Sequence, residues 1–316
     1  MTVYDAIVLG TGGVGSAAAM HLAGRGAHVL GLEQFDHGHN RGSSNGQTRA
    51  MRMAYFEHPN YVPLLRRAYT LWEELEASVN QKLFHQVGLL EVGPADGIVV
   101  PGVLRSAAQH NLPVDELTRA EVAERFPGLN LPEESRAVFE SNAGFLMVED
   151  AVLAHVDAAR RSGAEMLTNE GVVSWSASGG GVVVQTETGE HHGGRLVITA
   201  GAWAGALLSD LGMPLNVQRK HLHWFAPTSD RYRLGSGTPT FFFELSDQSF
   251  FYGFPQIDDR GVKIAEHSGR GDCVSDPHEL NRDVDAGVND EENSDSDRSW
   301  SCAVGWDHVG MDWHCC

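Results

Sequence analysis

Three stretches of the 316-residue chain carry residue types whose spacing suits chemistry. The first is Gly-Thr-Gly-Gly-Val-Gly at positions 10–15, which sets Gly10, Gly12 and Gly15 in the spacing of a dinucleotide fingerprint. The first glycine permits a tight turn, the second lets backbone approach a pyrophosphate, and the third allows a helix to pack closely on a strand. The helix N-terminus adds N–H groups and a positive dipole end. Glu33 follows 18 residues after Gly15, where a carboxylate holds ribose hydroxyls and disfavours a 2′-phosphate. NAD and FAD both remain open on these residues. The second stretch is 39–55, HNRGSSNGQTRAMRMAY, with Arg49 and Arg52 three residues apart. A planar guanidinium binds a carboxylate through two parallel hydrogen bonds, although two arginines near a helix start are ordinarily surface groups. The third is GVKIAEH at 261–267, which puts Lys263, one of only three lysines, inside an apolar strand pattern. A lysine on a strand is ordinarily solvent-facing, and a scarce one among Val262, Ile264 and Ala265 draws attention. His267 shares its face by parity.

These residues need particular elements to position them. VYDAIVL at 3–9 reads as a buried parallel strand running into the glycines, and SAAAMHLAGRG as a helix of small residues stopping at Gly24 or Gly26. AHVLGLEQF (27–35) is the second strand of a βαβ opening. A loop rich in Gly, Ser and Asn spans 37–47, and an amphipathic helix spans 60–77 with Pro63 in its first turn. From 84 to 142 the pattern predicts short strands and one short helix. A helix is predicted at 150–162, a hairpin running into a buried strand at 172–201, and further strands between 217 and 267. The expected fold class is α/β: a Rossmann-type dinucleotide domain from 1–83 and 143–215, and a mixed-sheet α+β domain from 84–142 and 216–284.

Composition bounds the function. A formal charge of −19 argues against nucleic-acid and anionic-membrane partners. No apolar run approaches the roughly 18 residues of a membrane helix, and the N-terminus lacks a basic signal region, so a cytoplasmic protein is expected. Twenty arginines against three lysines, with acid in excess, suggest a surface adapted to salt. Neither a nucleophile elbow nor a metal set is evident: His221 and His223 have no third ligand, and Cys302, His308, His314 and Cys315 match no zinc spacing.

Longer stretches carry a resemblance. Gly42, Ser43, Gly46, Thr48, Arg49 and Arg52 fall in a G-S-x-x-G-x-T-R-x-x-R pattern. They are followed in order by VGLLEVGP (87–94), RFPGLNLPE (125–133), AGFL (143–146), TAGAW (199–203), YGFP (252–255), GVKIAEH and DPHELNRD (276–283). Over residues 1 to about 284 the chain resembles the glycine/D-amino-acid oxidase flavoproteins, and within them the monomeric sarcosine oxidases and N-methyl-tryptophan oxidases. The resemblance implies FAD rather than NAD, with cofactor contacts at Gly10, Gly12, Gly15, Glu33, Ser43, Ser44, Thr48, Arg49, Val172 and Gly201. It implies that Arg49 sits near the flavin, that Arg52 clamps a substrate carboxylate, and that Lys263 promotes reaction with dioxygen. Tyr252 and His267 would line the substrate cavity. The implied partners are a small amino acid and O2, the implied product of oxygen is hydrogen peroxide, and a monomer is expected. Ser44 and Asn45 stand where such proteins carry histidines, which alters how the flavin is tuned. Rival readings are an oxidase or dehydrogenase acting on glycine or a D-amino acid, or an inactive remnant.

From Asp285 the composition turns acidic and then rich in Trp, Cys and His. The C-x-Y-T and G-H-G-F segments that the resemblance implies are missing. Residues 285–316 are therefore expected to be a disordered, frameshifted ending, and activity to be weak.

Overall fold

The computed structural model describes residues 2–212, 215–267, 273–274 and 276–280, together with the backbone of Trp313–Cys315. The strand Ala6–Leu9 is buried throughout and lies between Val29–Leu32 and Leu196–Ile198, parallel to both, with Glu165–Leu167 outermost. Both faces of this sheet are covered, as parallel sheets require. Val8 and Val29 pack on Ala19, Ala23, Val156 and Ala159 of two helices, while Ile7, Leu9, Leu30 and Leu32 pack toward Val184 on a neighbouring meander. The helix Gly13–Ala23 buries only Gly15, Ser16, Ala19 and Ala23. Side chains that small let it lie against both the sheet and the helix Val148–Arg161. It ends on Gly24, as the sequence indicated.

A second, mixed sheet runs in the order Trp313–Cys315, His223–Pro227, Val262–Glu266, Phe250–Phe254, Thr240–Glu244, Leu89–Pro94, Ser135–Glu140, Asp115–Leu117. All its pairings are antiparallel except that between Thr240–Glu244 and Leu89–Pro94. Strand alternation sorts its side chains into two populations. One face carries Phe225, Phe241, Phe243, Phe251, Val262, Ile264, Leu90 and Val92, closed by Val122 and Phe126. Each such side chain, fully buried, contributes about 1.5–3 kcal/mol. The opposite face holds the polar groups: Trp224 pairs with Lys263, Lys263 with Phe254, Tyr252 with Phe242, and Phe242 with Glu91.

That face is capped at one end by the helix Val99–His110. The Glu244 carboxylate accepts from the N–H groups of Ile98 and Val99 at 2.9 Å and so caps this helix in place of a residue of its own. The sequence pattern predicts one short helix between 84 and 142, and the structure has two, this one and Arg119–Arg125; in the first, Pro101 and Gly102 look like breakers. Pro101 lies in the first turn, where its missing N–H costs nothing. Gly102 lies against the Phe56 carbonyl, where a side chain would clash. A small sheet, Thr48–Met51 with Gly144–Met147 and Phe84–His85, lies between the two large ones in the chain's path and positions the 43–52 loop. The expected ending at 285–316 lies outside the described residues, apart from Trp313–Cys315. There the backbone pairs with Phe225–Pro227 as a strand.

Candidate functional site

A cleft of about 360 Å³ opens at the carboxyl ends of the parallel strands. Its walls include Gly10, Gly12, Glu33, Ser44, Val172 and Gly201. Gly10 has φ +83°, and a Cβ there would meet the Thr199 carbonyl oxygen at 2.7 Å. Gly15 lies beneath the cleft and lines no part of it. A Cβ on Gly15 would overlap the Gly10 carbonyl and stand 2.5 Å from Thr199 Oγ1. No acidic residue lies in the first turn of the Gly13–Ala23 helix, so its positive end is left for an anion. Glu33 is buried, and its Oε2 accepts from the Thr11 N–H at 2.9 Å. Burial pushes its pKa up, but hydrogen bonds from His39 and the Thr11 and Phe35 N–H groups outweigh this and hold it below the usual carboxylate range. An ionised acid beside a glycine turn and an uncompensated helix end fits the ribose and diphosphate of a dinucleotide.

From the cleft the chain enters the 43–52 loop. Ser44 Oγ accepts from the Gly13 N–H at 2.9 Å, and the Ser43 carbonyl accepts from the Arg49 guanidinium. Arg49 also donates to the Thr48 carbonyl at 2.6 Å, and burial lowers its pKa, with Tyr252 and Glu149 opposing. Lys263 is fully buried, and its Nζ donates to Gly46 O at 2.5 Å, Thr48 O at 3.1 Å and Thr48 Oγ1 at 3.2 Å. The rings of Phe254 and Trp224 flank it at 5.0 and 5.9 Å. Burial, with the nearby charges of Arg49 and Arg260, brings its pKa down to about 7 against the pull of Glu149. The amine is therefore poised between charged and neutral forms near neutrality.

Arg52 occupies the other end of the same face. Its guanidinium lies over Tyr55 at 4.3 Å, Phe56 at 4.8 Å and Phe242 at 5.8 Å. Its Nη2 donates to both Glu57 carboxylate oxygens, at 3.0 and 2.9 Å, and Glu91 Oε1 lies 3.6 Å from its Nε. Glu140 accepts from the N–H groups of Met53 and Ala54 at 2.8 and 2.9 Å, which fixes the backbone just after Arg52. Between the two ends sit Tyr252 and His267, with ring centroids 6.3 Å apart. Burial raises the Tyr252 pKa against the Arg49 charge. Burial and the Arg52 charge lower that of His267, so its ring is neutral at neutral pH.

Of the sequence-predicted residues, Gly10, Gly12, Glu33, Ser43, Ser44, Val172 and Gly201 line the cleft. Thr48 and Arg49 stand farther along, around Lys263. Arg49, Tyr252 and Lys263 form one neighbourhood, and Arg52, Tyr252 and His267 an overlapping one. Sequence reasoning missed Gln47, Glu57, Glu91, Glu140 and Glu149. Only Glu91 left a signal, as an acid inside the apolar run LLEV. Among the described residues no cluster of His, Cys, Asp and Glu suits a metal ion, and no helix is long and apolar enough to cross a membrane.

Residues 5–302 match the FAD dependent oxidoreductase family, DAO. Monomeric sarcosine oxidase of Streptomyces avermitilis is 43% identical over 89% of this chain and 73% of its own length. N-methyl-L-tryptophan oxidase of Yersinia pestis is 37% identical over 84% of this chain and 71% of its own. Among solved structures, NikD, an amino acid oxidase of nikkomycin biosynthesis, superposes with a TM-score of 0.79 over 92% of this chain and 76% of its own, at 23% identity. The glycine cleft, the acid that closes it and these likenesses agree: the chain belongs to the FAD dependent oxidoreductases, as an amine-oxidising flavoenzyme homologous to monomeric sarcosine oxidase and N-methyl-L-tryptophan oxidase.

Proposed function

We propose that the protein oxidises a secondary amino acid, sarcosine or another N-methyl amino acid, with dioxygen as the final acceptor. Written for sarcosine, the sum is sarcosine + O2 + H2O → glycine + formaldehyde + hydrogen peroxide. FAD, when bound, supplies the two-electron acceptor. The single observation that carries the substrate reading is Arg52, a buried guanidinium walled by Tyr55, Phe56 and Phe242 and already holding a carboxylate, that of Glu57. A substrate carboxylate takes the place of Glu57, whose side chain is about one-third exposed, and the guanidinium fork offers it two parallel hydrogen bonds where Glu57 uses Nη2 alone. The aromatic walls exclude water from that pair, which strengthens it.

The remaining assignments follow from chemistry at named atoms. His267, neutral by burial, and Tyr252, protonated at neutral pH, bound the space where the substrate amine would sit without adding charge that would hold it as ammonium. Lys263 is the cation assigned to dioxygen, because a positive charge stabilises the developing superoxide. Glu33, Ser43, Ser44, Val172 and Gly201, over the turn at Gly10, Gly12 and Gly15, would hold the dinucleotide. Thr48 and Arg49 would meet its flavin end. The two-domain division, 1–83 with 143–215 and 84–142 with 216–284, belongs to the same proposal, as does a monomer.

Oxygen uptake and coupled peroxide detection, with sarcosine and larger N-methyl amino acids set against glycine and D-alanine, test the reading. Turnover of the methylated amines above the unmethylated ones is expected. Preference for glycine or D-alanine would replace the substrate class, and a colourless purified protein would overturn the whole reading.

A further inference from the structure

Gln47 is a non-glycine residue at φ +74°, and the Thr48 N–H donates back across it to the Gly46 carbonyl at 2.9 Å. An i→i+2 bond over a residue with positive φ is the rare, strained form of γ-turn. Such a conformation persists only where the surroundings over-determine it, and here every polar group of Gln47 is engaged. Its N–H donates to Glu149 Oε1 at 3.1 Å, and its carbonyl accepts from Val148 at 3.0 Å. Its side-chain Nε2 donates to Asp258 Oδ2 at 2.9 Å, and its Oε1 accepts from Trp224 Nε1 at 3.1 Å. The turn points the carbonyls on either side of Gln47, those of Gly46 and Thr48, at one atom, Lys263 Nζ.

We propose that Gln47 is the positioning residue for Lys263: its strained turn, locked by Trp224 on the mixed sheet, Asp258 in the turn before the Lys263 strand and Glu149 at the start of the helix Val148–Arg161, builds the oxygen cage that holds the Lys263 ammonium. Two carbonyls, which only accept, and the Thr48 hydroxyl face Nζ. An ammonium donates to all three, whereas a neutral amine donates to the carbonyls and accepts from the hydroxyl, so what the cage favours is the positive charge that the two carbonyl dipoles point at. The other charged groups around it are Arg49, Arg260 and Glu149, so the cage opposes two arginines and burial. Relevance to turnover rests on the dioxygen role proposed above; the cage itself does not.

The chain's three lysines make a direct test simple. Full-length protein purified with its FAD is labelled on lysine side-chain nitrogen and carbon, Lys263→Met assigns the signal, and the signal is titrated by NMR. In Gln47→Ala, an L side chain without the tether lets the turn relax. The Lys263 midpoint is expected to fall by about one unit, the scale of one charge-assisted hydrogen bond. Gln47→Gly tolerates positive φ and should shift less. Trp224→Phe keeps the ring over Nζ but removes one tie to Gln47, and should shift in the same direction, which serves if Gln47→Ala does not fold. A wild-type midpoint in folded Gln47→Ala, or in Trp224→Phe where the alanine variant is not folded, overturns the proposal. A shifted midpoint with unchanged oxygen uptake upholds the cage and removes Lys263 from the oxygen chemistry.

Discussion

At the scale of single residues, the least ordinary group is Glu91. It is fully buried, and neither of its carboxylate oxygens finds a hydrogen-bond partner among the described residues. Burial, with Glu140 and Glu57 adding to it and Arg52 opposing, pushes its pKa up to about 8. The unfolded chain releases this proton near the ordinary glutamate range, whereas the folded protein retains it up to about pH 8. The unfolded state therefore binds fewer protons in that window, and stability is lost as pH rises through it. Glu91→Gln removes the titration but keeps the shape. Its stability relative to wild type should improve by on the order of 3 kcal/mol between pH 5 and pH 8, measured by urea unfolding at each. A constant difference across that range would show that Glu91 is ionised throughout. At the same cluster, Arg52→Lys loses the planar fork and its stacking on Tyr55. A rise in KM of at least about tenfold, with a smaller change in kcat, is expected in steady-state oxygen uptake.

At the scale of elements, the opening strand–turn–helix is decided by close approach. Gly15→Ala forces a methyl into the Gly10 carbonyl and Thr199 Oγ1, and those are backbone and a short side chain that cannot swing away. Purified Gly15→Ala should carry little or no flavin absorbance per chain, whereas a variant that loads FAD fully would show that the helix can lift off the sheet. This element was legible because its signals are local: glycine spacing, an apolar run before it, small residues after it and Glu33 beyond. The Lys263 strand was legible for the same reason, since parity alone separates Lys263 and His267 from Val262 and Ile264. Glu244, by contrast, caps a helix that starts 145 residues earlier, and Glu149 fixes a loop 103 residues before it. No spacing rule links such positions, because the partners meet only once two sheets have formed. Gln47 was illegible for another reason: its conformation is imposed by its partners and disfavoured by its own residue type.

At the scale of the whole molecule, the fold concentrates cations in the site and leaves acids in excess elsewhere. Arg52 and Lys263 are buried, while the formal charge is −19. Like charges spread over a surface repel, and the compact state bears more of that repulsion than the unfolded chain does. Salt screens it, with a Debye length of about 10 Å at 0.1 M and about 3 Å at 1 M, but reaches the buried Arg52 guanidinium far less. Two consequences separate. The thermal midpoint should climb by a few degrees as KCl rises from near zero, steeply at first and flattening above roughly half molar, because screening saturates whereas general salting effects grow linearly. The KM for the amine substrate should change little over the same range if its carboxylate sits in the enclosed Arg52 pocket. Differential scanning calorimetry and oxygen uptake on one KCl series measure both. A midpoint that is flat or falls with salt would mean that the acidic surface costs the fold nothing, and a KM that rises steeply with salt would place the carboxylate on an open, screened arginine rather than between Tyr55 and Phe242.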